Sequence, residues 1–519
     1  MKNKLSILAS ILFIAVAMTS CNKKFNDLQT DPNRATAVPA NLVLNGVLAD
    51  VTNGSFNITQ RWNQFYCCNY AYYGDQQYWA GGVSFAPYAV LNNVNKMELE
   101  AAKSLPAVNA YSALGKFLRA YIYYNLTMQV GDVPMSAALQ GLNNLTPKYD
   151  NQKAIFVQIL KWLEESNTDM TTVINNGNYI LSGDFYYNNN LASWRKAVNT
   201  FKLRVLVQLS RYESDADLNI KQKFSDVISN PSKYPVFTTV ADDWTYVYNS
   251  SYNKYPTSPD SYGFDAMRYN MSDTYLGNLV SLNDPRTFAV AEPADSIVRT
   301  GVSPTSFAAF KGASSGEDLA TMSSKAGKGL YSFINRKRYY STYTAETNRQ
   351  VGYTELCFNM AEAINRGWIS GNAETWYQNG IQASIKFYGF VNGTNSVYFQ
   401  KVGGSLSDYN VYTITYDWNS YYNQTAVKYA GNNATGLNQI LLQKYLAFYQ
   451  NSGFEAYYNW RRTNVPTFLV GPGTGNSARV PLRYQYPANE RAVNAANVNA
   501  AITSQFGTDD INAKMWIIK

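Results

Sequence analysis

Six stretches of the chain repeat apolar residues at three-to-four spacing, and each predicts an amphipathic helix. Tyr111, Leu114, Leu118, Tyr121, Ile122 and Leu126 carry the first, which Gly131-Asp132-Val133-Pro134 stops. Ile155, Ile159, Trp162 and Leu163 mark the second, after the turn residues Pro147 to Asn151. Trp194, Val198, Phe201, Val205 and Leu209 mark the third. Tyr353, Leu356, Cys357, Met360 and Ile364 mark the fourth, closed by Gly367. A fifth follows Gly371-Asn372 with Ala373, Trp376, Tyr377, Gly380, Ile381 and Ser384, and a sixth spans 437–450. The fourth and fifth form a helical hairpin of tetratricopeptide size, in which the small residues Ala361 and Gly380 suit close packing. No clean period of about 34 residues runs through the chain, so any repeat is degenerate.

Residues 51–92, 171–193, 231–350 and 389–436 lack helical periodicity and are rich in Tyr, Asn, Gly and Ser. Their aromatic content argues against disorder, and loops of such length are commonly functional. The pattern predicts a mainly α fold: helix pairs form a scaffold, with long ordered loops and a few short strands laid over it.

Composition sharpens this picture. Aromatic residues are 15% of the 519 positions, with 43 Tyr and 10 Trp, more rings than a core alone would take. Histidine is absent, which excludes Ser-His-Asp and Cys-His catalysis, His-ligated zinc and histidine pH switching. No cofactor or metal motif stands out. A formal net charge of +8 is too thin over this length to argue for nucleic acid.

Met1 to Lys4 is a short basic segment, and Leu5 to Met18 is an apolar run of fourteen residues. That run fits a secretory signal and is too short to span a bilayer. It ends in Met18-Thr19-Ser20-Cys21, which resembles a bacterial lipobox. Residues 1–20 then read as a lipoprotein signal peptide, Cys21 as the lipidated N-terminus, and 21–519 as a single α-rich domain. An ordinary secretory signal with an incidental cysteine is the plainer alternative. Cys67, Cys68 and Cys357 remain, an odd set that makes no disulfide framework. Cys357 reads as a buried small hydrophobe, and free thiols are expected at the other two.

Candidate catalytic chemistry is thin. Glu164-Glu165, Asp242-Asp243 and Asp509-Asp510 are neighbouring carboxylates. A retaining glycosidase needs two carboxyls about 5 Å apart across the sugar, whereas sequence neighbours point apart, so all three are expected on solvated surface. Gly471-Pro472-Gly473-Thr474-Gly475 lacks the ending of a phosphate loop and is expected to be flexible. Arg336-Lys337-Arg338 is expected in an exposed loop.

The aromatic loops are the stronger signal. Trp62, Tyr66, Tyr70, Tyr72, Tyr73, Tyr78 and Trp79 crowd one stretch, interleaved with Asn69, Asp75, Gln76 and Gln77. A sugar presents an apolar C–H face and a rim of hydroxyls, which a flat ring beside amides and carboxylates matches on both counts. Trp244, Tyr246, Tyr248, Tyr252, Tyr255, Asp260 and Tyr262 form a second cluster, and Tyr409, Tyr412, Tyr416, Trp418, Tyr421 and Tyr422 a third. The candidate ligand residues are Tyr66, Tyr72, Tyr73, Asp75, Gln76, Tyr78 and Trp79, with Tyr252, Tyr255, Asp260 and Tyr262 closing the other side. Packing of the loops onto the scaffold, or a protein interface, is the alternative use of the same rings.

Short motifs follow one another along the chain. They are Phe25-Asn-Asp-Leu-Gln-Thr-Asp-Pro-Asn33, Lys116-Phe-Leu-Arg-Ala-Tyr121, Gly131-Asp-Val-Pro134 and Tyr149-Asp150. Asp284-Pro-Arg286, Ala361-Glu-Ala363 with Gly367-Trp368, and Gln443-Lys444 come next, then Arg461-Arg-Thr463 and Pro481-Leu-Arg483 with Tyr486-Pro487. In this order the sequence resembles the SusD/RagB family of outer-membrane nutrient-binding lipoproteins, in its SusD-like branch, over nearly all of the mature chain.

The resemblance implies a single domain of tetratricopeptide-like helix pairs with a variable loop face. It implies a non-enzymatic protein, lipid-anchored at the outer membrane and facing the cell exterior. Such proteins capture oligosaccharides, or peptides in some members, and deliver them to a SusC-like TonB-dependent transporter that meets the helical side. Starch-binding relatives place ligand aromatics in an early and a mid-chain loop, near 62–82 and 244–265 here. The motifs themselves read as scaffold: a turn at Gly131–Pro134, and Arg461-Arg462 fixing loop backbones through planar donors. A secreted carboxylate-dependent glycoside hydrolase is the competing class, disfavoured by the absence of a conspicuous acid/base constellation.

Overall fold

All six helices predicted from periodicity form in the computed structural model, which describes residues 38–70 and 82–519. In chain order the scaffold runs α1 (Ala40–Asp50), α2 (Pro87–Ala102), α3 (Ala110–Val130), α4 (Gln152–Asn175), α5 (Leu191–Gln208) and α6 (Ile220–Ser229). After a long insertion come α7 (Tyr353–Asn365), α8 (Ala373–Phe387), α9 (Ala434–Ala447), α10 (Glu455–Thr463) and α11 (Ala495–Phe506). Successive helices α1 to α5 pack as neighbours, α7 pairs with α8, and α9 lies on α7. Asparagine starts several of them: Asn109, Asn151, Asn190, Asn372 and Asn433 each accept a first-turn N–H at 2.8–3.1 Å.

Two sequence features set how closely the helices approach. α3 is apolar nearly all round and is buried along its length, so it sits at the centre of the bundle. Gly380 on α8 faces Phe358 on α7, and a Cβ there would lie 2.8 Å from the Phe358 ring, so the pair packs only because the side chain is absent.

One helix missed by periodicity, α10, owes its burial to polar pairing. α10 reads Glu-Ala-Tyr-Tyr-Asn-Trp-Arg-Arg-Thr, polar and aromatic throughout, yet Glu455, Asn459, Arg461 and Arg462 on it are all buried. They are buried because they are paired. Arg461 donates to the Leu482 and Met128 carbonyls at 2.8 and 2.7 Å, the backbone-fixing role expected of it. Arg462 pairs with Glu362 and donates to Ser210 at 2.9 Å. Lys444 donates to Asn359 and Asn459 at 2.7 and 3.1 Å, and burial pulls its ammonium down to about 8. Arg286 binds Asp284, Ser384 and Gln443, and Arg483 binds Asp509 and the Asp510 carbonyl. Arg286, Lys444, Arg461, Arg462 and Arg483 of the family-like motifs are therefore part of the buried polar frame of the fold.

Three expectations are corrected here. Of the adjacent carboxylates, Asp243 is buried against Arg349 (2.9 Å), Asp509 anchors Arg483 (2.5 Å), and Glu164 binds Lys202 (2.6 Å). They are not merely solvated, because cations from distant segments reach them. The Gly471–Gly475 loop is packed rather than flexible, since a Cβ on Gly473 would fall 1.8 Å from the Glu317 carbonyl oxygen. Arg336–Tyr339 is a helical turn whose Arg338 pairs with Glu346 at 2.7 Å.

The long loops carry further short helices, among them Asp273–Ser281 and Leu319–Gly327, and three antiparallel two-stranded ladders. β1 (Tyr66–Cys68) pairs with β3 (Tyr269–Met271), and β2 (Trp244–Tyr246) with β4 (Asn348–Val351). β5 (Gly393–Gln400) and β6 (Tyr409–Tyr416) form a hairpin. Cys357 is buried, as expected, and Cys67 and Cys68 are buried as well.

Candidate ligand-binding site

The β1–β3 ladder roots two of the aromatic loops side by side. At its end Asn69 N–H donates to the Arg268 carbonyl (2.9 Å), and Asn69 Nδ2 donates to the Met267 carbonyl (3.0 Å) and Asn270 Oδ1 (2.9 Å). The Arg268 guanidinium lies 4.0 Å over the Tyr70 ring. The chain thus enters residues 71–81 beside the 262–268 segment and returns at Gly82, which bridges Gln485.

The mid-chain loop presents its own polar and aromatic groups. Tyr252 is 95% exposed, its N–H held by Asn249 Oδ1 at 2.7 Å. Asp260 pairs with Lys254 at 2.7 Å and accepts the Tyr343 hydroxyl at 2.8 Å, and these two donors hold its carboxyl below the usual range. Lys254 in turn sits 4.2 Å over the Tyr343 ring. Tyr262 is half-buried against Tyr340, ring centroids 6.0 Å apart, and Gln400 Nε2 donates to its hydroxyl. Gln400 ends β5, so the hairpin tip closes this patch, with Lys337 5.1 Å over Tyr409 and 6.0 Å over Tyr398. The result is a surface of tyrosine rings separated by amides and by charges already engaged with neighbours.

Of the residues predicted from sequence, Tyr252, Asp260 and Tyr262 reach the outside of the mid-chain loop, the first two exposed and Tyr262 half-buried. Tyr66 and Tyr255 do not: they are 2% and 1% exposed. Tyr66 donates its hydroxyl to the Asn57 carbonyl (3.0 Å), and Tyr255 is packed among Phe56, Tyr248 and Tyr339. Their rings fasten the loops to the scaffold, as do Trp244 and Tyr421, both buried. Cys21, Tyr72, Tyr73, Asp75, Gln76, Tyr78 and Trp79 lie outside the described residues. Sequence reasoning passed over Tyr343, Tyr398, Lys254 and Gln400; the run Tyr339-Tyr340-Ser341-Thr342-Tyr343 was the available signal.

A cleft of about 560 Å³ lies at the far end of the hairpin, between Thr413–Asp417 and Asn283, Phe288 and Phe307. Among the described residues no cluster of three or more His, Cys, Asp or Glu is set to hold a metal, and no helix is long and apolar enough to cross a membrane.

The family model for starch-binding proteins associating with the outer membrane matches residues 32–487. The chain belongs to the SusD-like family. A SusD homologue from Bacteroides fragilis superposes with a TM-score of 0.80 at 27% identity, covering 93% of this chain and 100% of its own. A second from the same species gives 0.77 at 29% identity with the same coverage. A chitin-binding SusD homologue from Flavobacterium johnsoniae, at 19% identity and a TM-score of 0.66 over 92% of this chain and 98% of that one, shares the fold. No curated protein matches the chain. The mainly α, tetratricopeptide-like fold expected from the sequence stands.

Proposed function

We propose that this protein captures neutral oligosaccharides at the outer membrane and hands them to a SusC-like TonB-dependent transporter. The observation that carries the reading is the β1–β3 ladder, which roots the early and mid-chain aromatic loops side by side. Tyr73 and Trp79 stack on one side of the sugar, aided by Asp75 and Gln76, with Tyr72 and Tyr78 nearby. Tyr252 and Tyr262 supply rings on the other side, and Asp260 a hydroxyl acceptor. Membership in a starch-binding family and the chitin-binding relative support a glycan over other solutes. Lipidation of Cys21 tethers the protein, which raises its effective concentration at the transporter.

Calorimetry with starch- and chitin-type oligosaccharides tests the site. Each of Trp79→Ala, Tyr73→Ala and Tyr252→Ala is expected to cost about 1–3 kcal/mol, as for truncated aromatic anchors elsewhere. Two together reduce affinity by about a hundredfold, at about 1.4 kcal/mol per decade. Binding is expected to change little with salt, since a neutral sugar offers no ion pair to screen. Unchanged affinity in the Trp79/Tyr73 double variant moves the site elsewhere, and release of reducing ends from the glycan would make the protein a hydrolase. Cys21→Ala is expected to leave the membrane fraction while staying folded; continued sedimentation with membranes refutes that anchor.

A further inference from the structure

The β5–β6 hairpin has two unlike faces. Directly paired residues of an antiparallel ladder share a side, and the side alternates along each strand. Asn395, Val397 and Phe399 point to the buried side, where Phe399 packs on Phe310 with ring centroids 5.8 Å apart. The outer side carries the pairs Thr394↔Thr415, Ser396↔Thr413 and Tyr398↔Val411, and all six residues are exposed. None of the six is charged. The Thr394, Ser396, Thr413 and Thr415 hydroxyls form two cross-strand pairs with no hydrogen-bond partner among the described residues. Val411 is the one aliphatic side chain of the six, whereas a protein interface is built around an apolar core. Unspent hydroxyls beside an exposed ring match a sugar chain, with its rim of hydroxyls and its C–H faces.

This outer face continues the tyrosine surface at the hairpin tip. The next pair on the same side is Gln400↔Tyr409, and Gln400 Nε2 donates to the Tyr262 hydroxyl. Lys337 ties the two ends together, 5.1 Å over the Tyr409 ring and 6.0 Å over that of Tyr398. A ligand held at Tyr262 therefore meets Tyr409 and Tyr398 next, and the hydroxyl pairs beyond them. The eight residues of β5, at about 3.3 Å each, make this strip about 26 Å long. That is longer than one sugar unit needs, and it is narrow, only two strands wide.

Shape selects the kind of chain. A narrow strip keeps contact only with a glycan that stays extended, as chains linked equatorially at both ends of each sugar do. An axially linked chain coils and leaves the strip after its first units. We propose that the outer face of the β5–β6 hairpin extends the glycan surface and takes an extended, equatorially linked neutral chain. Tyr398 stacks on one sugar ring, and the four hydroxyls bond to the units beyond it. The inference rests on the reading of the tip as a sugar site, and adds to it a linkage class and a dependence on chain length.

Calorimetry on the full chain compares the dimer and the hexamer of three series: cello- and chito-oligosaccharides, linked equatorially, and malto-oligosaccharides, linked axially. In an equatorial series the hexamer is expected to bind about tenfold tighter than the dimer or more, the gain of two or more hydrogen bonds beyond the tip. The malto pair is expected to differ far less, which also controls for the larger number of binding frames on a longer chain. Thr394→Val, Thr413→Val and Thr415→Val combined with Ser396→Ala remove the four hydroxyls and keep strand-forming side chains at three positions. This variant is expected to melt as the parent does, to keep the dimer's affinity and to lose the hexamer's gain. Equal affinity for dimer and hexamer in the unaltered protein overturns the proposal without recourse to any variant, and leaves the tip site standing. A gain that survives in the hydroxyl-free variant overturns it too, because the added contacts would lie elsewhere. An equal gain from the malto hexamer refutes the selection by linkage. If no series binds at either length, the sugar reading of the tip fails, and this inference fails with it.

Discussion

Replacing Asp132 by Asn is expected to stabilise the protein at alkaline pH and to leave it unchanged in acid. Asp132 lies in the turn that ends α3 and joins three parts of the scaffold. Its carboxylate accepts the first N–H of α4, from Gln152, at 2.8 Å. Its own N–H donates to Gln505 on α11 (2.9 Å), and its carbonyl accepts the Tyr486 hydroxyl (2.7 Å). Burial pushes the carboxyl up from 3.8 to about 7; the Gln152 N–H and the Lys519 charge oppose this, and Asp150 reinforces it. The folded protein thus keeps this proton to about pH 7, whereas the unfolded chain releases it near 3.8. Stability owed to the group is complete below the lower value and is lost as pH rises towards the higher one. The gap from 3.8 to about 7, at about 1.4 kcal/mol per pH unit, corresponds to about 4 kcal/mol. Asparagine retains the acceptor for Gln152 and carries no charge to desolvate. Urea unfolding of both proteins from pH 4 to pH 8 should show curves that coincide in acid and diverge towards about 4 kcal/mol in favour of Asp132→Asn. A difference independent of pH, or a variant less stable than the parent at pH 8, would refute the reasoning, because the carboxylate would then be ionised and stabilising in the fold.

Gly380→Ala places a methyl group against the Phe358 ring and is expected to cost about 1–3 kcal/mol by thermal melting; an unchanged midpoint would mean that α7 and α8 can slide apart. Burial alone would raise Glu362, but the Arg462 guanidinium outweighs it and holds the carboxyl down at about 2. The pair's stabilisation is present above 4.5 and is lost as pH falls towards 2, and Arg462→Ala, which leaves the buried Glu362 carboxylate with Arg366 as its remaining ion-pair partner (2.9 Å), should cost about 3 kcal/mol at neutral pH and weaken that acid dependence. Cys67 and Cys68 are buried, and burial pushes the Cys67 thiol up to about 12. Neither should react with a thiol reagent at pH 8 until the protein unfolds, which a colorimetric thiol assay reads directly; rapid native labelling would refute their burial.

The chain's local patterns settled the scaffold. Apolar spacing and asparagine caps act within a few residues, so the six helices and the close approach at Gly380 were legible without knowledge of neighbours. Motif order along the chain carried the family, and several residues of those motifs, Arg286, Lys444, Arg461, Arg462 and Arg483, are buried paired polar groups. α10 was illegible for the same reason: its arginines are buried only because Glu362 and the Met128 and Leu482 carbonyls meet them, and no periodicity in 455–463 announces partners that lie 21, 100 and 333 residues away.

The division of labour among the tyrosines was likewise left to tertiary structure. Tyr252 and Tyr255 stand three positions apart in one loop, equally plausible as ligand rings, yet one is 95% exposed and the other 1%. Composition marked both, since a ring suits a sugar and a core alike. Which it serves depends on whether another segment covers its faces: Phe56, Tyr248 and Tyr339 cover Tyr255, while Tyr252 is left to solvent. The same holds for the β5–β6 hairpin, whose sequence specifies two strands, while only the tertiary structure brings Asn335 and Glu292 to the outer edge of β5 and, among the described residues, no backbone partner to that of β6. Local sequence determines what a segment can form; which of its faces is covered depends on contacts between residues far apart in the chain, and those are set when the whole chain packs.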